Sequence, residues 1–149
     1  MTSRTSSSDS TPTPMLGAGW HFPIVQVGPV ADGKQEPPFA MAADEMSVRQ
    51  SIEIILSTTK GERVMRPDFG CDLNRLLFQP NNPTTQALAK FEVGEALQTW
   101  EPRIDVLDVS VQADGTSGQR LLIDISYRVR STDNRFNLVY PFYLNRAPV

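Results

Sequence analysis

Two hydrophobic periods divide the chain between residues 47 and 144. Val48, Ile52, Ile55 and Leu56 recur at steps of three and four and mark one face of a helix. Ser47 and Gln50 stand ahead of it in capping-box spacing, and Gly61 is placed to end it. The stretch GERVMRPDFGCDLNRLLFQP predicts an extended GERVM, a turn at Arg66-Pro67-Asp68 and a short apolar segment from Leu73 to Phe78, closed by Pro80. Asn82 has the side chain of a helix cap, and Pro83 fits a first turn, where a missing N–H costs nothing. On this second helix Ala89, Val93, Ala96, Leu97 and Trp100 share about a third of the circumference. Leu88 and Phe91 fall outside that stripe and are candidates for a second contact surface.

The period then changes from helical to alternating. Pro102 disfavours helical geometry for Glu101, so the helix ends near Trp100 and the chain runs on extended. Ile104 and Val106 alternate in one phase, and Leu107, Val109 and Val111 in the other, which predicts a bulge near 106–107. ADGTSG predicts a turn. Leu121, Ile123, Ile125, Tyr127 and Val129 then alternate without fault against Leu122, Asp124, Ser126, Arg128 and Arg130. After the polar STDNR, Leu138, Tyr140, Phe142 and Leu144 alternate again, and Pro141 among them predicts a strand at the sheet edge. Helices first and antiparallel strands last give an α+β class: two main helices packed on a small antiparallel sheet, with an extended N-terminal arm.

That arm is set apart by composition. MTSRTSSSDSTPTP cannot bury enough apolar surface to offset its ordering entropy and is expected to be disordered in the lone chain. Trp20, Phe22, Ile24, Val25 and Val27 follow as an apolar patch without helical period, expected to lie extended against the domain or a neighbour; GPVADGKQEPP then reads as a loop or linker. The expected division is an arm at 1–40 and one folded domain at 41–149.

Charge and reactive residues narrow the chemistry. The net charge of −3, with eleven Arg and three Lys scattered along the chain, provides no phosphate-tracking stripe and no polybasic patch, so neither nucleic acid nor a membrane is an expected partner. One cysteine, Cys71, and one histidine, His21, supply neither a zinc shell nor a disulfide framework, so no metal and no cofactor is expected and Cys71 reads as a small core residue. Absence of a long apolar run or a leader pattern suggests folding in a cytoplasm.

TWEPRID, residues 99–105, is the stretch that invites a catalytic reading. Glu101 beside Trp100 has the look of a carboxylate raised by an indole, but Arg103 opposes that shift and no second carboxylate stands at a paired spacing. No nucleophile has a base, and no glycine-rich phosphate loop precedes a helix. No catalytic residue is therefore expected. In an extended chain Glu101 and Arg103 project to one side of a corner stiffened by Pro102, either toward each other or toward a partner. Glu62, Arg63 and Arg66 are open to two readings, a solvated or ion-paired surface and a docking contact.

The ordered combination of T-x-x-G-E-R in IILSTTKGERVMRPDFG, P-x-F-G, W-E-P-R-I and the final YPFYL resembles the baseplate wedge and sheath-initiator family of contractile tails, over residues 45–144. Its members occur in T-even phage tails, type VI secretion systems and extracellular contractile injection particles. The resemblance implies a structural, non-enzymatic role despite the family's lysozyme-like label; the alternative from another class is a tail-associated cell-wall hydrolase. It implies that Glu101, Pro102 and Arg103 dock on the core bundle of larger wedge subunits. It also implies that the sheet edge at Leu138, Val139, Tyr140, Phe142 and Tyr143 receives an extended arm of the first-ring sheath protein, seeding the sheath. The N-terminal arm would reach hub or tube-proximal neighbours. Multiple copies, expected to be six, would assemble in a bacterial cytoplasm and remain in the baseplate.

Overall fold

The computed structural model describes residues 16–26, 39–114 and 120–144. Strand β1 (Ala18–Trp20) pairs antiparallel with β2 (Met41–Ala43), and β2 runs directly into helix α1 (Asp44–Ser57). A 3-10 turn (Asp72–Leu76) leads to helix α2 (Pro83–Trp100), followed by β3 (Ile104–Asp114), β4 (Arg120–Val129) and β5 (Arg135–Tyr143). The last three form an antiparallel sheet in the order β3-β4-β5. This is the expected α+β class, with both helices preceding the sheet.

The faultless alternation of β4 explains its central place. Leu121, Ile123, Ile125, Tyr127 and Val129 are all buried on one face, where they join Val48, Ile52 and Ile55 of α1 and Ala89, Val93 and Leu97 of α2 in one core. Asn82 caps α2 as its sequence position predicts: its Oδ1 accepts the Thr85 N–H at 2.8 Å, with Pro83 in the first turn. Leu88 and Phe91 stay exposed outside the buried stripe. The register of β3 on β4 slips between Val106 and Asp108, so the expected bulge forms, and it turns Leu107 outward. Pro141 lies in β5, which is an edge of this sheet. Cys71 is buried as expected. Among the described residues no helix is long and apolar enough to cross a membrane.

Four local expectations are corrected. The capping box at Ser47 does not form, because α1 starts three residues earlier, straight from the paired β2, with Asp44 and Glu45 in its first turn opposite the helix dipole. Gln50 is buried and accepts the Phe22 N–H at 3.1 Å. Gly61 does not end α1. The helix stops at Ser57 because Thr58 is extended (φ −90°, ψ 125°), and Gly61 instead uses its left-handed φ of 88° to return a loop whose Pro67 carbonyl accepts the Gly61 N–H at 2.7 Å. GERVM is not extended but winds through successive turns, with Arg66 N–H on the Arg63 carbonyl and Phe69 N–H on that of Arg66. The segment Leu73 to Phe78 is not uniformly apolar in placement: Leu73 and Leu76 are buried, and Phe78 is exposed.

The arm is tied to the domain where it is described. Leu16 reaches the core cluster, and the Ala40 N–H donates to the Val25 carbonyl at 2.8 Å. Trp20, Phe22, Ile24 and Val25 remain exposed. Val27, the polar tip at 1–14, the linker at 28–38 and most of the ADGTSG turn lie outside the described residues.

Two tests follow from the packing. Gly70 has φ 115°, and a Cβ there would fall on the Thr58 carbonyl, which also accepts the Cys71 N–H. Gly70→Ala is expected to destabilise the fold by about 2 kcal/mol or more in chemical denaturation, since backbone rather than a movable side chain blocks the methyl. Burial pushes the Cys71 thiol up to about 11. The unfolded chain, with a thiol near about 8.5, releases its proton first, so this contribution is complete below about pH 8.5 and is lost as pH rises toward the folded value. Denaturation midpoints should therefore fall more steeply between neutral and alkaline pH for the native sequence than for Cys71→Ala.

Candidate functional site

The helix-to-strand corner at Trp100–Arg103 is where the chain gathers its charged and aromatic side chains. Helix α2 ends at Trp100, with the Glu101 N–H still donating to the Leu97 carbonyl at 3.0 Å. Pro102 follows exposed, and Arg103 leads into β3, its carbonyl accepting the Arg130 N–H at 3.0 Å. Glu101 and Arg103 do project to one side, and they pair with each other. Arg103 Nε donates to Glu101 Oε1 at 2.6 Å and Nη2 to Oε2 at 2.7 Å, a bidentate pair. The Glu101 side chain is 3% exposed and that of Arg103 is 30% exposed.

The remaining donors of Arg103 collect segments that are distant in sequence. Nη1 donates to the Leu16 carbonyl at 3.0 Å and to Ser47 Oγ at 3.4 Å, and Nη2 to Ser51 Oγ at 2.9 Å. All five N–H groups are engaged, and the Glu101 bonds hold the guanidinium above its ordinary pKa. Ser47 and Ser51 stand one turn apart on α1, which is why both hydroxyls reach one group. Their spacing is the signal that reading the sequence for a cap passed over; no local pattern marks Leu16. Just beyond, Asp105 accepts from Arg128 Nη2 at 3.0 Å and Arg130 Nε at 2.8 Å. Those two bonds, Arg128 first, hold its carboxyl below the usual range.

The other candidates fall into place around the corner. Trp100 packs on Phe69 with ring centroids 5.1 Å apart, Arg66 lies over Trp100 at 5.3 Å and Arg63 over Phe69 at 4.1 Å. Glu62 turns to the base of its loop, where Oε2 accepts the Thr59 N–H at 2.9 Å. On β5, Leu138 and Phe142 are buried in the core and Tyr140 is packed against it, while Val139 and Tyr143 are exposed on the other face. Among the described residues no cluster of His, Cys, Asp and Glu has the makings of a metal site.

Residues 42–134 match the model of the family described as baseplate wedge protein gp25. The chain belongs to that family. It is 40% identical over 65 residues to the baseplate wedge protein gp25 of Enterobacteria phage T4, covering 44% of this chain and 49% of that protein, so the chain spans about half the length of this relative. A crystal structure from Geobacter sulfurreducens, described as a candidate tail lysozyme, superposes with a TM-score of 0.64 at 55% identity over 70% of this chain and 94% of the other. A chain of the anti-feeding prophage baseplate, solved by cryo-electron microscopy, shares the fold with a TM-score of 0.60 at 21% identity over 88% of each chain.

In this wedge-family member the corner lacks the properties of a catalytic carboxylate. General acid–base work needs an oxygen within reach of substrate and free to exchange a proton. Both oxygens of Glu101 are held by a guanidinium and covered by protein. Glu101→Ala is expected to cost about 2 kcal/mol in chemical denaturation, less than the roughly 3–5 kcal/mol of a fully buried pair because Arg103 keeps some water. The double change to alanine at 101 and 103 should cost less than the sum of the single changes.

Proposed function

We propose that the chain is a structural, non-enzymatic subunit of the baseplate of a contractile particle. It docks on larger wedge subunits at the Glu101-Pro102-Arg103 corner, through Pro102 and the exposed part of Arg103 with Glu101 as the covered brace, and offers the β5 edge to an extended arm of the first-ring sheath protein, so that the sheath is initiated on it. The observation that carries the reading is the corner itself: a fully paired, covered carboxylate beneath an exposed proline, which holds a shape and offers no free oxygen to a substrate. Pro102 and the exposed part of Arg103 are the surface presented. The bond from Arg103 to Ser47, the longest of its set at 3.4 Å, is the one a partner's oxygen replaces at least cost.

The β5 edge supports strand addition through its parity. Residues 135–143 pair with 128–120 without a register shift, so backbone groups alternate strictly between β4 and the free edge. Pro141 has no N–H to give, which assigns its parity to the free edge; Asn137, Val139 and Tyr143 then turn their N–H groups outward. Leu138, Tyr140 and Phe142 hold the strand to the core, and Val139 and Tyr143 meet the arriving arm. The N-terminal arm, with Trp20 and Phe22 exposed, faces hub or tube-proximal neighbours, and several copies, six by this reading, assemble in a bacterial cytoplasm.

Val139→Pro removes one outward N–H without touching a β4 bond. It should leave the melting temperature within a few degrees and abolish sheath on baseplates seen by electron microscopy in producing cells. Arg103→Ala should prevent incorporation of the chain into baseplates. Normal sheathed particles with both variants would sink the reading.

A further inference from the structure

The loop 61–69 carries an exposed feature that neither the corner nor the β5 edge explains. Its base is closed: the Gly61 N–H reaches the Pro67 carbonyl, and the Cys71 N–H reaches the Thr58 carbonyl at 2.9 Å, with Gly70 seated too close to Thr58 for any side chain. Its tip holds Val64 and Met65, 94% and 88% exposed. A loop braced this tightly has turned two apolar side chains into water where a polar pair would serve the fold equally well.

The flanks of the tip define what would cover it. Arg63 and Arg66 lie over the rings of Phe69 and Trp100, at 4.1 and 5.3 Å from the ring centroids, contacts that place both cations beside the tip. Neither has a carboxylate within ion-pair distance among the described residues. Glu62 does not neutralise them, because its carboxylate is turned back to Thr59. The tip is thus an apolar pair bracketed by two cations that have no ion-pair partner among the described residues, and Trp100 makes it continuous with the Glu101–Arg103 corner.

We propose that this loop is a second part of the docking footprint, which inserts Val64 and Met65 into a small apolar socket rimmed by carboxylates on the same wedge neighbour that takes the corner. The proposal rests on the baseplate reading for the identity of the neighbour; the chemistry of the socket follows from the loop. The sequence pointed to the charges, whereas the structure assigns the contact to the two apolar residues between them and makes the arginines its rim. Carboxylates suit that rim better than nucleic-acid phosphates, because a phosphate backbone has no apolar socket for Val64 and Met65.

The test compares full-length variants in producing cells, with the amount of chain in isolated baseplates as the readout and the melting temperature of the purified chain as the control. Met65 is 88% exposed, so Met65→Asp should leave the melting temperature unchanged while incorporation falls by about tenfold or more, the scale of one hot-spot side chain. Met65→Leu should incorporate normally, and Arg63→Glu with Arg66→Glu should lower incorporation as Met65→Asp does. Incorporation of Met65→Asp at the level of the unaltered chain overturns the loop proposal and leaves the corner standing. Absence of the unaltered chain from baseplates overturns both. Co-sedimentation of the purified chain with vesicles of phosphatidylglycerol and phosphatidylcholine in equal parts, lost in Met65→Asp, would assign the tip to a lipid surface and overturn the protein socket.

Discussion

A bidentate ion pair between residues only two apart sets how four segments of this chain meet. Glu101 ends α2, Arg103 begins β3, and the guanidinium between them also holds the Leu16 carbonyl and two hydroxyls of α1. The pair itself closes almost no loop, so its two strong bonds form at small entropic cost. Once formed they present the remaining three N–H groups in a fixed plane to partners as far as 87 positions away. A lysine would not substitute. Its ammonium is a point donor, whereas this junction needs five donors in one plane. Pro102 completes the device by forbidding α2 from running on, which would carry Glu101 and Arg103 to different faces of a helix.

The same pair decides the chemistry of the corner. A glutamate next to a tryptophan is one way to raise a carboxyl toward a general acid, but it requires an apolar, uncharged surround. Here the Trp100 ring is taken up by Phe69 and Arg66, and the carboxylate by Arg103, so the surround is aromatic and cationic. Such an arrangement holds the carboxylate in place and leaves neither oxygen open to a substrate. For the docking role proposed above its merit is rigidity: a surface held before contact loses little conformational freedom on binding.

Long periodic elements were legible in the sequence because their period is imposed by burial on one face. β4, the stripe of α2 and the bulge at 106–107 are of that kind, while the Asn82 cap and the edge position of Pro141 were legible from their local hydrogen-bonding needs. The errors share a different cause. Ser47 and Gln50 match a capping box, yet the paired β2 supplies an earlier start for α1, and a long-range demand from Arg103 and Phe22 claims both side chains. Gly61 was legible as a left-handed residue but not as to which element needed it. GERVM, two polar residues followed by two apolar ones, has no alternation to hold it in a sheet, so turns prevail. The inward direction of Glu101 and Arg103 was one of two open outcomes, and it is decided by Leu16 and the α1 serines, which no local pattern connects to the corner.

The exposed apolar side chains of the described structure are distributed over different elements: Trp20 on the arm ribbon, Met65 on the loop, Phe91 on the outer face of α2 and Val139 on the β5 edge. Apolar side chains scattered singly are ordinary on a folded surface, so it is their elements and not their number that bear on contact. On the baseplate reading proposed above, the arm, the loop tip, the helix back and the strand edge, each with its own apolar residues, are the surfaces open to different neighbours. The ion-paired corner ties these surfaces together, because its hydrogen bonds fasten the arm, both helices and the sheet to one guanidinium. A neighbour that binds one of them therefore finds the others already oriented for the next.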